Sequence, residues 1–132
     1  MRRTLKKSEI IRGKRIFDQI FERGVRIRSA IIQALVLASP AAEGSPPGVR
    51  MAAVVPKVAG KATARNRLKR LIRESYRNEK SILLSPARPI DGTLNIVFLW
   101  SPRTRVPARD VKLETVNGEI TGLLHKIREQ FT

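Results

Sequence analysis

The sequence predicts a single α+β domain in which helices layer against one small sheet, and three observations carry that expectation. The first is length: 132 residues and 14.9 kDa suit one domain, and a chain of this size buries roughly two-thirds of its unfolded surface without help. The second is the hydrophobic period, which switches between helical spacing and short β-branched runs in the order helix, strands, helix, strand, helix. The third is the absence of cysteine and the presence of a single histidine, His125. Together they exclude a disulfide scaffold, a thiol nucleophile and a multi-histidine metal site, and leave the apolar core to hold the fold.

The elements follow in order. Residues 12–23 carry Ile16, Phe17, Ile20 and Phe21 on one stripe, and Gly24 follows as a stop. The stretch 27–38 contains IIQALVLA, a short β-branched run that reads as one strand. The turn cluster SPAAEGSPPG (39–48) separates it from a second apolar run at 50–55, halted by Pro56, and the two are expected to pair as a hairpin. A strong helix is predicted over 63–84, then a buried strand at 93–100 (TLNIVFLW), a basic proline-flanked loop at 101–107 and a last helix over 108–129. Leu113, Val116, Ile120, Leu123, Leu124 and Ile127 supply its apolar spacing, weakened in the middle by Gly118 and Gly122.

Charge narrows the function. There are 27 Lys+Arg against 11 Asp+Glu, a net charge of +16, and residues 1–80 hold 20 of the cations and 6 of the acids. Such self-repulsion points to a polyanionic partner, met mainly by the first part of the chain. The apolar runs 30–38 and 94–100 are too short to span a bilayer, and the basic N-terminus lacks the apolar core of an export signal. A cytoplasmic protein with no membrane partner is expected. Asp110 and Glu114, four apart on the last helix, read as a helix-dipole feature rather than a nuclease centre, so no protein-borne catalytic residues and no protein metal site are expected.

The informative stretch is KVAGKATARNRLKRLIRESYRNEK, residues 57–80. At about 100° per residue, Ala64, Leu68, Leu71, Ile72, Ser75 and Tyr76 share one side. The other side collects Asn66, Lys69, Arg70, Arg73, Arg77 and Lys80, with Arg67 at its edge and Arg65 beside the apolar stripe. A merely solvated face usually mixes signs; this one is nearly one-signed and rich in arginine, whose planar fork suits phosphate oxygens. Contacts of that kind give salt-dependent, largely sequence-independent affinity. Phe17 and Phe21 are the best-placed aromatics for stacking on bases, although their spacing equally suits the core.

The run from Lys57 through Gly60 and Ala62 into ARNRLKRLIRESYR resembles the signature of the bacterial ribonuclease P protein component. In that family a lysine-rich strand end and a glycine lead into an Arg-Asn-Arg helix, here Arg65, Asn66, Arg67, Lys69 and Arg70, one spacer residue shorter, with Arg73 a turn further. The N-terminal Phe17, Phe21 and Gly24 look like the family's aromatic–glycine pattern, and the resemblance covers roughly residues 11–127. It implies a four-stranded sheet packed with helices in the order α-β-β-β-α-β-α, with an unusual left-handed βαβ crossover. It also implies one RNA-binding domain over 1–132, with residues 1–10 as a flexible extension.

The function so implied is the protein subunit of a ribonucleoprotein endonuclease that removes the 5′ leader of precursor tRNA. The partners are a catalytic RNA subunit and the precursor tRNA, with no obligate protein partner, and Mg2+ is held mainly by the RNA. The RNA-binding set would be Lys57, Lys61, Arg65, Asn66, Arg67, Lys69, Arg70, Arg73 and Arg77, and the leader cleft would use Phe17, Phe21 and Arg50. This chain departs from the pattern at Val58, where a second lysine is usual, at 31–37, where strand aromatics give way to aliphatics, and at Ser101, where an arginine is common. Arg103 and Arg105 lie just beyond Ser101. With the strand aromatics missing, Phe17 is expected to carry more of the stacking. A ribosomal protein and an architectural DNA binder are the competing readings of the same charge.

Overall fold

A computed structural model describes residues 5, 9–39, 48–84, 92–102, 104 and 106–131. The elements are α1 (Lys14–Arg23), β1 (Val25–Arg28), β2 (Ile32–Ser39), β3 (Gly48–Val54), α2 (Ala62–Glu79), β4 (Thr93–Trp100) and α3 (Leu113–Phe131), with short 3-10 turns at Lys57–Ala59, Lys80–Ile82 and Ala108–Asp110. This is the expected element order around one four-stranded sheet, β1-β2-β4-β3.

Two strand expectations need correction. The stretch 27–38 is two antiparallel strands: the chain turns at Ser29–Ile31, where the Ser29 N–H bonds the Ile32 carbonyl at 2.9 Å. That turn contains no glycine, proline, asparagine or aspartate, and Ser29 is its one weak signal. Nor do the runs flanking the proline-rich loop form a hairpin. β4 inserts between them, antiparallel to β2 and parallel to β3. β4 can occupy that place because it is largely apolar and buried on both faces, with only Thr93 and Leu99 half-exposed and the buried Asn95 amide bonded to Leu37 O and Ser39 Oγ of β2. The turn clusters 40–47 and 85–91 lie outside the described residues.

Alternation along β4 divides the core. Leu94, Ile96, Phe98 and Trp100 face α2 and α3, packing with Leu68, Ile72, Tyr76, Val116, Ile120, Leu124 and Ile127. Tyr76 and Phe98 meet with ring centroids 5.8 Å apart. Val97 and Leu99 face the other way, into a smaller cluster with Leu35, Ala52, Ile11, Ile20, Ile16 and Phe17 under α1.

The hand of the crossover follows from one hydrogen bond. The Ser101 N–H donates to the Ile31 carbonyl at 2.9 Å, and these residues stand directly opposite in the β2–β4 register. Odd-numbered residues of β4 therefore turn their backbone polar groups to β2 while their side chains face α1. For L-residues this puts β3 to the left of β4 and β2 to its right, seen from α1 with β4 running upward. β3 thus reaches β4 through α2 behind the sheet, in the left-handed sense that parallel crossovers rarely take.

α1 lies across the strands. Before it, the Ile11 N–H bonds the Met51 carbonyl at 2.9 Å on the outer edge of β3, and Ile10 bridges Met51 in parallel. This covers what would be an open sheet edge. After it, Gly24 caps the helix, its N–H 2.8 Å from the Ile20 carbonyl, and abuts β2 so closely that a Cβ there would stand 2.4 Å from Ile20 O and 3.4 Å from Val36 N. Ten residues span about 15 Å, close to the three strand spacings of about 14 Å between β3 and β1. Of the expected N-terminal extension, Leu5 packs on the main core and Glu9 pairs with Lys80 at 2.9 Å, while residues 1–4 and 6–8 lie outside the described residues.

Candidate nucleic-acid interface

α2 buries Leu68, Ile72, Ser75 and Tyr76 and turns its opposite side outward. Asn66, Arg70 and Arg73 are exposed there, Lys69 and Arg77 are half-buried, and Lys57 and Lys61 are exposed on the approach to the helix. Gly60 connects them at φ 136, a conformation side chains resist, and so delivers Lys57 and Lys61 to the start of α2. No side chain caps that N-terminus and its first turn holds no acid. Arg77 and Glu74 form an exposed pair at 3.6 Å, too loose and too solvated to neutralise the face. Arg70, Arg73, Glu74 and Arg77 line an open depression of about 310 Å³ beside Leu5.

Two arginines of the predicted set behave differently from the rest. The Arg67 guanidinium points inward, its two terminal nitrogens donating to the Ala108 carbonyl at 2.5 Å and the Val111 carbonyl at 2.7 Å. It ties α2 to the turn that precedes α3. Arg65 is half-buried, with its Nε out of reach of water and of any hydrogen-bond acceptor. Helical spacing could not separate these two from Arg70 and Arg73, because the acceptors of Arg67 come from residues more than forty positions away in sequence.

The α1 side of the sheet forms a second surface. Register places Arg28, Gln33, Leu99 and Val54 in one row across the four strands. Arg26, Leu35, Val97 and Ala52 form the next, whose last three members are buried beneath α1. Leu37, Asn95 and Arg50 form the third. α1 therefore divides the face into two troughs. In a right-handed helix running from β3 to β1, with Ile20 pointing down, Phe17 and Phe21 lean over the Val54–Leu99–Gln33 row, the end from which β3 leads to Lys57.

Arg50 is exposed but lies in the third row, on the other flank of α1, so the structure brings Phe17 and Phe21 together and sets Arg50 apart. Phe17 is half-buried in the small cluster, whereas Phe21 is 43% exposed. Phe17 is expected to carry more of the stacking, yet Phe21 offers the more accessible ring. Sequence reading passes over Arg26, Arg28 and Gln33; the alternation in VRIR (25–28) is the available signal, hidden as long as 27–38 reads as one strand.

Among the described residues no three His, Cys, Asp or Glu come together as a metal-holding group. Asp110 and Glu114 are exposed, as is His125. No helix of the described residues is long and apolar enough to cross a membrane. The molecule presents a nearly one-signed arginine face on α2, an aromatic-walled trough on the α1 side of the sheet, and, among the described residues, no carboxylate cluster.

The family model for ribonuclease P matches residues 5–128. The chain belongs to the ribonuclease P protein family. It is 32% identical over 131 residues to the ribonuclease P protein component of Chlorobaculum tepidum, covering 94% of this chain and 82% of that one. It is 33% identical over 133 residues to that of Chlorobium phaeobacteroides, covering 95% and 88%. Among solved structures, the RNase P protein from Thermotoga maritima superposes with a TM-score of 0.70 at 28% identity, over 90% of this chain and 97% of its own. The Staphylococcus aureus protein shares the fold at 21% identity, with a TM-score of 0.66 over 96% of this chain. Family membership makes the chain an RNA-binding protein subunit of ribonuclease P that serves precursor-tRNA processing. The serine in place of the common arginine, Ser101, is buried with its N–H committed to Ile31, and Arg103 and Arg105 lie outside the described residues.

Proposed function

We propose that this chain binds the catalytic RNA of a bacterial ribonuclease P with the outer face of α2 and the 5′ leader of precursor tRNA with the trough beneath Phe17 and Phe21. The holoenzyme then removes the leader by endonucleolytic hydrolysis in the cytoplasm. The observation that carries the reading is the exposed, nearly acid-free row of Asn66, Arg70 and Arg73 on α2, the helix that the chain enters from the trough end of β3. Arginine forks on such a face hold phosphate oxygens without reading bases, which suits a structured RNA backbone. The trough, floored by Val54 and Leu99 and walled by an aromatic ring, suits an unpaired strand whose bases stack.

The chemistry belongs to the RNA in this reading. Mg2+ is assigned to the RNA subunit, and no step is routed through protein ligands. The protein's part is to lower the electrostatic cost of bringing two polyanions together and to hold the leader in register with the cleavage site.

Reconstitution tests this. The protein is added to a bacterial ribonuclease P RNA, and precursor-tRNA cleavage is followed at low magnesium, with each component alone as control. Correct 5′ cleavage stimulated by the protein, and none from protein alone, is the expected result. Tight binding to other structured RNA without stimulation would overturn it in favour of a ribosomal role.

A further inference from the structure

The trough does not end at Phe17. α1 runs towards β1, so Phe21 stands one turn nearer that edge strand, with its ring 43% exposed. On the α1 side of that edge, register sets Arg28 of β1 opposite Gln33 of β2, and Arg26 one pair along, opposite Leu35. Both arginines are exposed. The Arg26 guanidinium donates to the Gln33 side-chain carbonyl, which holds the amide across the strand pair. Neither row holds an acidic side chain: that of Arg28 and Gln33 continues through Leu99 and Val54, and that of Arg26 through Leu35, Val97 and Ala52. An edge strand gains solubility from charged residues, but one carrying two unneutralised guanidinium groups on the same side as an exposed aromatic ring has the makings of a single-strand subsite.

We infer that Arg26, Arg28, Gln33 and Phe21 form a distal subsite for single-stranded RNA, taking leader nucleotides far from the cleavage site while the Lys57 end of the trough takes those near it. This rests on the leader-binding reading above and extends it. The two ends of the row lie about 14 Å apart, the width of four strands, so one nucleotide cannot reach both. Arg28 holds a phosphate, Phe21 stacks a base, and the Gln33 amide offers a donor and an acceptor to a base edge. Two guanidinium groups and one exposed ring make up this end of the trough. Leader binding at this end is accordingly more salt-dependent than stacking alone would make it.

The test uses the reconstituted holoenzyme and precursor tRNAs with leaders of graded length. Affinity is measured for the parent protein, Arg26→Ala/Arg28→Ala and Arg28→Lys, with melting curves to check folding. For the parent, affinity rises as the leader lengthens and then levels off. The double variant is expected to lose that gain at the longer leaders, by roughly five- to ten-fold, the loss that removing two solvent-exposed ion-pairing groups produces. It should also flatten the salt dependence by about 0.7 unit for each single-strand phosphate no longer neutralised. Arg28→Lys restores the salt slope. A loss equal at every leader length, or no loss at any, overturns the subsite. Failure of the parent protein to stimulate cleavage of any substrate is a different outcome: it removes the leader-binding reading itself.

Discussion

From the second turn of α2, Arg67 reaches the Val111 carbonyl at 2.7 Å while its other terminal nitrogen holds the Ala108 carbonyl at 2.5 Å. Ala108 and Val111 are both buried, so these acceptors have little access to water. One planar fork thereby satisfies two carbonyls of the turn leading into α3 and sets the spacing between the RNA-facing helix and the helix packed behind it.

Arg67→Ala is therefore expected to act on stability. Loss of hydrogen bonds to a charged donor costs roughly 1.5–3 kcal/mol, visible as a lowered melting temperature. The salt slope of RNA binding should change by less than the roughly 0.7–0.9 unit that releasing one phosphate produces. Arg67→Lys, with a single point of donation, should recover only part of the stability. A full unit of slope lost at unchanged melting temperature would falsify the clamp.

Arg70 and Arg73 give the opposite signature. Both are exposed on the outer face of α2. Replacing either with alanine should leave the melting temperature nearly unchanged and flatten the log–log salt dependence of RNA binding by about 0.7–0.9 unit each. Salt titrations of filter binding decide it; slopes equal to the parent's would remove these residues from the phosphate-binding set.

The two phenylalanines of α1 should separate in the same way. Phe17 packs in the cluster under the helix, so Phe17→Ala should cost several kcal/mol, roughly the 3–5 seen for fully buried rings less a discount for partial exposure. Phe21→Ala should cost little stability and instead reduce discrimination between precursor and mature tRNA. Paired melting and binding measurements check both, and interchanged results would place Phe21 in the core.

Glycines offer a stability contrast independent of RNA. A Cβ at Gly24 would meet the Ile20 carbonyl oxygen at 2.4 Å, whereas at Gly118 and Gly122 it would meet nothing within 4 Å. Gly24→Ala should destabilise by at least the roughly 1–3 kcal/mol typical of overpacking. Gly118→Ala and Gly122→Ala should each stabilise by up to about 1 kcal/mol through helix propensity. Denaturant midpoints will show whether the signs are opposite.

Tyr76 is the single tyrosine, fully buried, with its hydroxyl unpartnered. Burial, and secondarily the charge of Glu9, push its phenol above the ordinary value of 10.0. The folded state thus holds this proton more tightly than the unfolded state. The associated stability is fully present below about pH 10 and is lost as pH rises above it. In an alkaline absorbance titration, tyrosinate should appear only with unfolding, and Tyr76→Phe should be neutral or stabilising. Tyrosinate appearing near the ordinary value of 10.0 with the fold intact would contradict the burial.

Local spacing and composition by themselves determined a good deal. The apolar stripes of α1, α2 and α3, the continuous apolar run of β4 and the one-signed face carrying Asn66, Arg70 and Arg73 are all properties of near neighbours in the chain, so periodicity exposes them. The tertiary structure alone decided what depends on distant partners. It split 27–38 into β1 and β2, inserted β4 between β2 and β3, and turned Arg67 inward onto carbonyls at 108 and 111. It also set Arg50 on the far flank of α1 from Phe21 and brought Arg26 and Arg28 alongside Gln33 on the α1 side of the β1 edge. The physical reason is that strand pairing and guanidinium donation are chosen by acceptors that only folding brings near. Residues with the same charge and neighbouring helical phase, such as Arg67 and Arg70, become distinguishable only when those acceptors are in place.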